Sequence, residues 1–205
     1  MAIQHRDIPD DQLHEVKGAA TAASGQIPVA TGTGTAVFQT VPFTACEFGF
    51  WDYNDTSTSI TPLDLTVAGT EYQLPNNGLG VNTTNAYALP GVSHVFNTST
   101  NYFQFSNLKL GDTVDIRIDC EITTTSANNL LNLFLELGIG LAPYKLNIDQ
   151  KYFKTAATHK VVANISIYIG NLTTLNGLGR LLASCDTTGA SVKVNGWFVR
   201  VLTNG

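Results

Sequence analysis

The sequence predicts an all-β protein, an antiparallel β-sandwich of jelly-roll type preceded by an extended N-terminal arm. Three observations predict it. Apolar residues recur with a period of two in several runs, turn-forming "NNG", "PG" and "TTG" punctuate the chain, and no stretch holds a clear helical period over three turns. About eight to ten strands at short spacing, without alternation of strand and helix, build two packed sheets that each bury one face. The sandwich is expected over residues 43–205 and the arm over residues 1–42.

The arm opens with "HRDIPDDQLHEVKGAAT", crowded with charged and imidazole side chains and poor in apolar ones. Pro9 biases Ile8 away from the helical region, and Asp10 is placed to cap a turn through "DDQLHEVK". From Gly18 to Cys46 the chain then runs without a formal charge. The tract "GAATAASGQIPVATGTGTAVFQTVP" is Ala, Thr and Gly with isolated larger side chains, too few to build a core of its own. Fully extended, at about 3.3 Å per residue, it would reach roughly 80 Å.

Beyond Phe43 the character changes. Short strands are expected near 43–53, 63–74, 92–97 and 101–107. In "TVDIRIDCEI", Val114, Ile116, Ile118, Cys120 and Ile122 alternate with Asp115, Arg117, Asp119 and Glu121, which puts the first set on a core and the second in water. "LLNLFLELGIGLA" places Leu131, Leu133, Leu135, Leu137, Ile139 and Leu141 on one face; its glycines and Pro143 favour a strand over a helix. "HKVVANISIYIG" repeats the pattern with Val161, Ala163, Ile165, Ile167 and Ile169 inward. "TTLNGLGRLLAS" is the one segment with some helical character, weakened by two glycines. "ASVKVNGWFVRVL" fits either a hairpin about Asn195-Gly196 or, as we favour, one strand whose glycine bulge brings Trp197, Val199 and Val201 onto the face of Val192 and Val194.

Composition narrows the function. Charged residues make up only 13% of the 205, against about 25% in ordinary globular chains. Uncharged polar runs such as "NNGLGVNTTNAY" and "FNTSTNYFQFSN" take their place, and no charged residue occurs between Glu71 and Lys109. Few ions need be desolvated when such a surface meets another protein, which suits oligomer or assembly contacts. A net charge of −5 with scattered basic residues excludes a phosphate-backbone footprint, so no direct nucleic-acid partner is expected. No membrane partner is expected either, because no apolar run approaches a membrane span and the start lacks the pattern of an export signal; synthesis in a cytoplasm follows. Cys46, Cys120 and Cys185 are odd in number and far apart, which reads as free thiols rather than a disulfide framework or zinc site.

The search for chemistry yields little. His5, His14, His94 and His159 show no metal-ligand spacing, and no cofactor, metal site or catalytic residue is expected. "FWDYNDTST" places Asp52, Asn54 and Asp55 in an expected loop, either as oxygen ligands for a calcium ion or as an Asx-bonded turn, with Trp51 and Tyr53 as exposed contact residues. Asp115, Asp119 and Glu121 around Arg117 read as a solvated, self-neutralising face rather than paired catalytic carboxylates.

One resemblance adds to this reading. The leader "DIPDDQLHEVKGAATAASGQIPVATGTGTAVFQTV" resembles the N-terminal segment of structural proteins of tailed bacteriophages, in which a "DIPD…LHE.KG" element and an Ala/Gly-rich stretch precede a β-rich domain. The body is more loosely similar to the trimeric jelly-roll modules of head decoration proteins and head or tail fibres. The resemblance implies a homotrimer on the exterior of the virion head, a capsid decoration (cement) protein bound to the major capsid protein through its arm. Arg6, Asp7, Ile8, Pro9, Asp10, Leu13, His14, Glu15 and Lys17 would dock it. The alternative it leaves open is a head or tail fibre, an adhesin for a host-surface glycan or protein that uses loops such as "FWDYNDTST".

Overall fold

The computed structural model describes residues 23–24, 26–32, 35–40 and 47–204. The chain divides into two units, residues 1–45 and 46–205. In the first, β1 (Gln26–Gly32) pairs antiparallel with β2 (Thr35–Thr40), Val29 opposite Val37. The described part of the arm therefore turns back as a hairpin, so the reach of one continuous extended strand does not apply to it. Ile27 and Val37 remain exposed on the hairpin.

The second unit is a sandwich of two six-stranded antiparallel sheets. One has the order β11 (Tyr144–Phe153), β10 (Asn129–Ile139), β13 (Leu178–Cys185), β8 (Tyr102–Gln104), β7 (Phe96–Asn97), with β5 (Tyr72–Gln73) also on β13. The other has the order β12 (Thr158–Tyr168), β9 (Thr113–Thr123), β14 (Ala190–Leu202), β3 (Phe48–Asn54), β6 (Thr84–Tyr87), with β4 (Leu63–Leu65) also on β14. We call these the first and the second sheet.

The pairing is nested: β3 with β14, β8 with β13, β9 with β12, and β10 with β11. Among these eight strands, first meets last and each inner strand meets its mirror. The chain is thus a long two-stranded ribbon rolled up so that β9 also joins β14 and β10 also joins β13. A ribbon rolled in this way is a jelly roll.

Alternation explains the long strands. Val114, Ile116, Ile118, Cys120 and Ile122 are buried, as are Leu131, Leu133, Leu135 and Leu137, and the intervening residues face outward. Val161, Ala163, Ile167 and Ile169 are buried too, with Ile165 partly so. β14 is one strand with a register shift between Val194 and Gly196. Val192 and Val194 before it, and Trp197, Val199 and Val201 after it, all point into the core, as the bulge reading expects. An aromatic cluster closes the middle: Phe96 meets Trp197 edge-on at 4.9 Å and lies 4.9 Å from Phe103. Each such fully buried large side chain stabilises the fold by about 1.5–3 kcal/mol relative to exposure.

Four expectations need correction. Ile139 and Leu141 leave the inward face of β10, because Gly138 takes φ +74 and breaks the pleat; Leu141 is exposed. "TTLNGLGRLLAS" contributes only to a short helix, Leu172–Asn176, capped by Asn171 accepting from Thr174 N–H, and then enters β13. The second unit has twelve strands among its described residues rather than eight to ten. Two of them, β6 and β11, are unforeseen: each lies at a sheet edge with mostly exposed side chains, so neither has an apolar alternation to betray it.

Candidate functional site

The strand expected near 43–53 is present, and it takes Trp51 and Tyr53, expected as exposed contact residues, into the core before running into a latched corner. β3 occupies Phe48–Asn54, and its inward positions bury Trp51 completely and Tyr53 almost so. The Trp51 indole N–H donates to Ser93 O at 3.4 Å. The Tyr53 hydroxyl accepts from the N–H groups of Val95 and Phe96, each at 3.3 Å, and burial raises its pKa above the ordinary tyrosine value. Neither ring is available to a partner, because a period-two strand that buries Gly49 must bury positions 51 and 53 as well.

Asp55 is consumed by the corner after β3. Its carboxylate accepts from Asn77 N–H at 2.9 Å, from Ser57 Oγ at 2.7 Å, and from Thr58 N–H and Oγ1 at 2.7 Å each. Burial pushes the carboxyl up, but these hydrogen bonds from Asn77, Thr58 and Ser57 outweigh it and hold it below the ordinary value. A carboxylate ringed by N–H and O–H donors is an Asx-type turn anchor, not a cation ligand. Asp52 points to the opposite face of β3 and accepts from Asn54 Nδ2 at 2.8 Å, so the two carboxylates do not converge. Among the described residues, no three His, Cys, Asp or Glu side chains gather as a metal set.

The docking residues named from the leader (Arg6, Asp7, Ile8, Pro9, Asp10, Leu13, His14, Glu15 and Lys17) lie outside the described residues. His94 bonds Ser93 Oγ at 2.9 Å, and His159 stacks on Phe153 at 4.4 Å; both are satisfied locally.

The organised surface lies on the outward face of the second sheet, and strand register maps it row by row. One row reads Tyr168, Thr113, Leu202, Phe48; the next reads Ser166, Asp115, Arg200, Phe50, Tyr87. A third reads Asn164, Arg117, Phe198, Asp52, Thr84, and further along stand Lys160, Glu121 and Lys193. Phe50 stacks on Phe198 at 5.6 Å, Phe48 meets Phe50 edge-on at 5.3 Å, and the Arg117 guanidinium lies 5.9 Å from the Phe198 ring centre. Two shallow depressions flank these rings, one lined by Asp115, Arg117, Ser166 and Arg200, the other by Asp52, Thr84 and Tyr87.

Six of the charges on this face form three ion pairs. Arg117 binds Asp119 at 2.8 Å, Lys193 binds Glu121 at 3.3 Å, and Arg200 binds Asp115, which also accepts from Ser166. Burial alone would push the Asp115 carboxyl up; the bonds from Ser166 and Arg200, with the Arg200 charge, hold it below its ordinary value. Asp52 runs the other way: burial raises it more than Asn54 and Arg117 lower it. The self-neutralising strand face expected from the Asp/Arg/Glu alternation is therefore present, with its cations drawn from β14 as well. Sequence reasoning missed the aromatic half. The signal was there, since Phe50 and Phe198 occupy outward positions of strands whose inward positions are already apolar.

No protein-family model matches the chain, and no curated protein matches it in sequence. Among solved structures, the globular domain of zebrafish complement 1qA protein superposes with a TM-score of 0.42 at 10% identity, over 78% of this chain and 98% of that one. PRD1 vertex protein P5 gives 0.38 at 15% identity, over 90% and 84%. The structure of infectious bursal disease virus Gt strain gives 0.38 at 10% identity, over 88% of this chain and 38% of that one. At these scores the likenesses are loose, and the class follows from the nested pairing: the chain carries a jelly-roll β-sandwich. No helix among the described residues is long and apolar enough to cross a membrane.

Proposed function

We propose that this chain is a virion structural protein of a tailed bacteriophage: a capsid decoration protein that sits as a homotrimer on the exterior of the head. Residues 1–42 attach it to the major capsid protein and so stabilise the shell. The observation that carries this reading is the outward face of the second sheet, an aromatic centre within charges that already pair with one another, which has the make-up of a protein contact. The leader's likeness to phage virion proteins supplies the particle, and its charges set orientation on the partner. Three weak arms on one trimer reinforce each other through effective concentration.

The test is removal of residues 1–42. The truncated protein keeps its fold and oligomeric mass but no longer co-sediments with capsids. Full decoration by the truncated protein overturns the arm's role. The fibre reading retains one observation in its favour: the loop before β6, within "NNGLGVNTTNAY", exposes Leu79 and Val81. Copy number separates the two, since a decoration protein covers the head and a fibre occupies few positions.

A further inference from the structure

We propose that the outward face of the second sheet seats a second copy of this chain, with Phe48, Phe50, Phe198 and Tyr87 at the centre of the contact. The inference rests on the reading of the chain as an oligomer and names the surface through which the copies meet.

Apolar exposure comes first. Phe48 is 61% and Tyr87 71% exposed, and Leu202 and Tyr168 continue the band across the same end of the sheet. Rings left in water beside half-buried Phe50 and Phe198 form one contiguous patch, the kind that marks an interaction site rather than scattered surface apolarity.

Charge then selects the occupant. Across β12, β9, β14 and β3 the outward positions hold four cations (Lys160, Arg117, Lys193 and Arg200) and four carboxylates (Asp115, Asp119, Glu121 and Asp52), so these four strands sum to zero and Asp64 of β4 adds one negative charge at their margin, on a chain of net charge −5. Three of these cations already bind three of the carboxylates. A strongly charged partner would find only Lys160 and Asp52, one of each sign, outside these pairs on the four strands, and burying the pre-paired remainder leaves few ions to compensate. The surface that suits a neutral, aromatic-centred face is an equally uncharged one, and a second copy of this chain, with charged residues only 13% of its sequence, offers it.

Size agrees. Strands of 11, 11, 13 and 7 residues (β12, β9, β14 and β3), about 4.8 Å apart and rising about 3.3 Å per residue, span roughly 670 Å². A stable interface takes about 800 Å² from each partner. Tyr87 also closes β6, which among the described residues pairs only with β3 and so offers a strand edge beside the rings.

The experiment uses the full chain. Sedimentation and light scattering of the wild type should give an oligomer, and the double variant Phe48→Asp, Tyr87→Asp should fall to the monomer mass with an unchanged circular dichroism spectrum. Both positions are exposed, so the core is not at stake. Tyr152→Asp, on the other sheet, should keep the wild-type mass. Hydrogen exchange on the unmodified protein provides a second readout: amides of β3 and β6 should gain protection with concentration while those of β11 do not. A monomeric wild type, a double variant of full mass, or protection gained at β11 instead overturns the proposal. Capsid binding is scored separately. An oligomer broken by the double variant but unable to bind capsids keeps this face and rejects the decoration role; capsid binding by an oligomer the variant leaves intact does the reverse.

Discussion

Thr58 and Val194, 136 residues apart, hold each other: the Thr58 hydroxyl accepts from Val194 N–H at 2.8 Å and lies 3.0 Å from Val194 O. The same hydroxyl reaches the Asp55 carboxylate at 2.7 Å, while Asp55 N–H donates to Asn195 O at 3.0 Å. The bulge of β14 is therefore satisfied by the corner that follows β3. A bulge leaves ladder groups unpaired, and here two residues of a distant loop take them up.

Replacing Thr58 by valine keeps the shape and removes the hydroxyl. Val194 N–H and one Asp55 oxygen then lose a buried partner, at a cost of about 1–3 kcal/mol. Urea denaturation should show a lower midpoint with an unchanged slope, and Thr58→Ser should restore most of the loss.

Acid should act through the same corner. Asp55 and Asp115 both have folded pKa values below their ordinary ones. Their contribution is fully present above the unfolded carboxyl value, about 3.9, and is lost as pH falls through the folded values. Asp52, raised by burial, opposes this weakly. Stability measured from neutral pH downward should therefore drop below about pH 4. Asp55→Asn should be less stable at neutral pH and show a shallower acid loss; an unchanged acid profile would argue that the carboxylate is not held as the geometry indicates.

How much of this was legible follows from which contacts are local. The strands β9, β10, β12 and β14 announce themselves because one face is buried and the other wet, and that difference is written residue by residue. β11 is silent because both faces are mostly exposed. In "FWDYNDTST" the Asp and Asn content argues for a loop, but the alternation of Gly49, Trp51 and Tyr53 carries the strand expected near 43–53 on to Asn54 and buries both rings. Asp55's partners Thr58 and Asn77 and the Val194 latch depend on the rolled topology, which spacing does not encode. The aromatic face needs the register of β3 against β14 to bring Phe50 and Phe198 together.

Gly196 is the residue that lets the bulge exist. A Cβ there would press on the Tyr53 carbonyl oxygen and stand 3.0 Å from Asn54 Cα, both backbone groups that cannot swing aside. Gly196→Ala should cost about 1–3 kcal/mol by overpacking, with loss of thermal stability as the readout. Gly69, where a Cβ meets nothing within 4 Å, has φ +73, so Gly69→Ala tests backbone strain without crowding and should cost less, about 1 kcal/mol.

Cys120 sits in the middle of β9, paired laterally with Val161 and Val194 and buried among them. Burial, reinforced by the neighbouring Asp119 and Glu121 charges, pushes its thiol up to about 12. The thiolate is the reactive form, so at neutral pH the native protein presents almost none of it, and a reagent must also wait for the sheet to open. Because β9 is the central partner of both β12 and β14, that opening is expected to be global rather than a local fraying. Labelling of Cys120 by a maleimide, followed by peptide mass spectrometry, should therefore track the unfolded fraction: slow in the native protein, complete in urea, and accelerated in Thr58→Val by the factor its denaturation curve predicts. Rapid native labelling would mean that the second sheet opens far more readily than its continuous register implies.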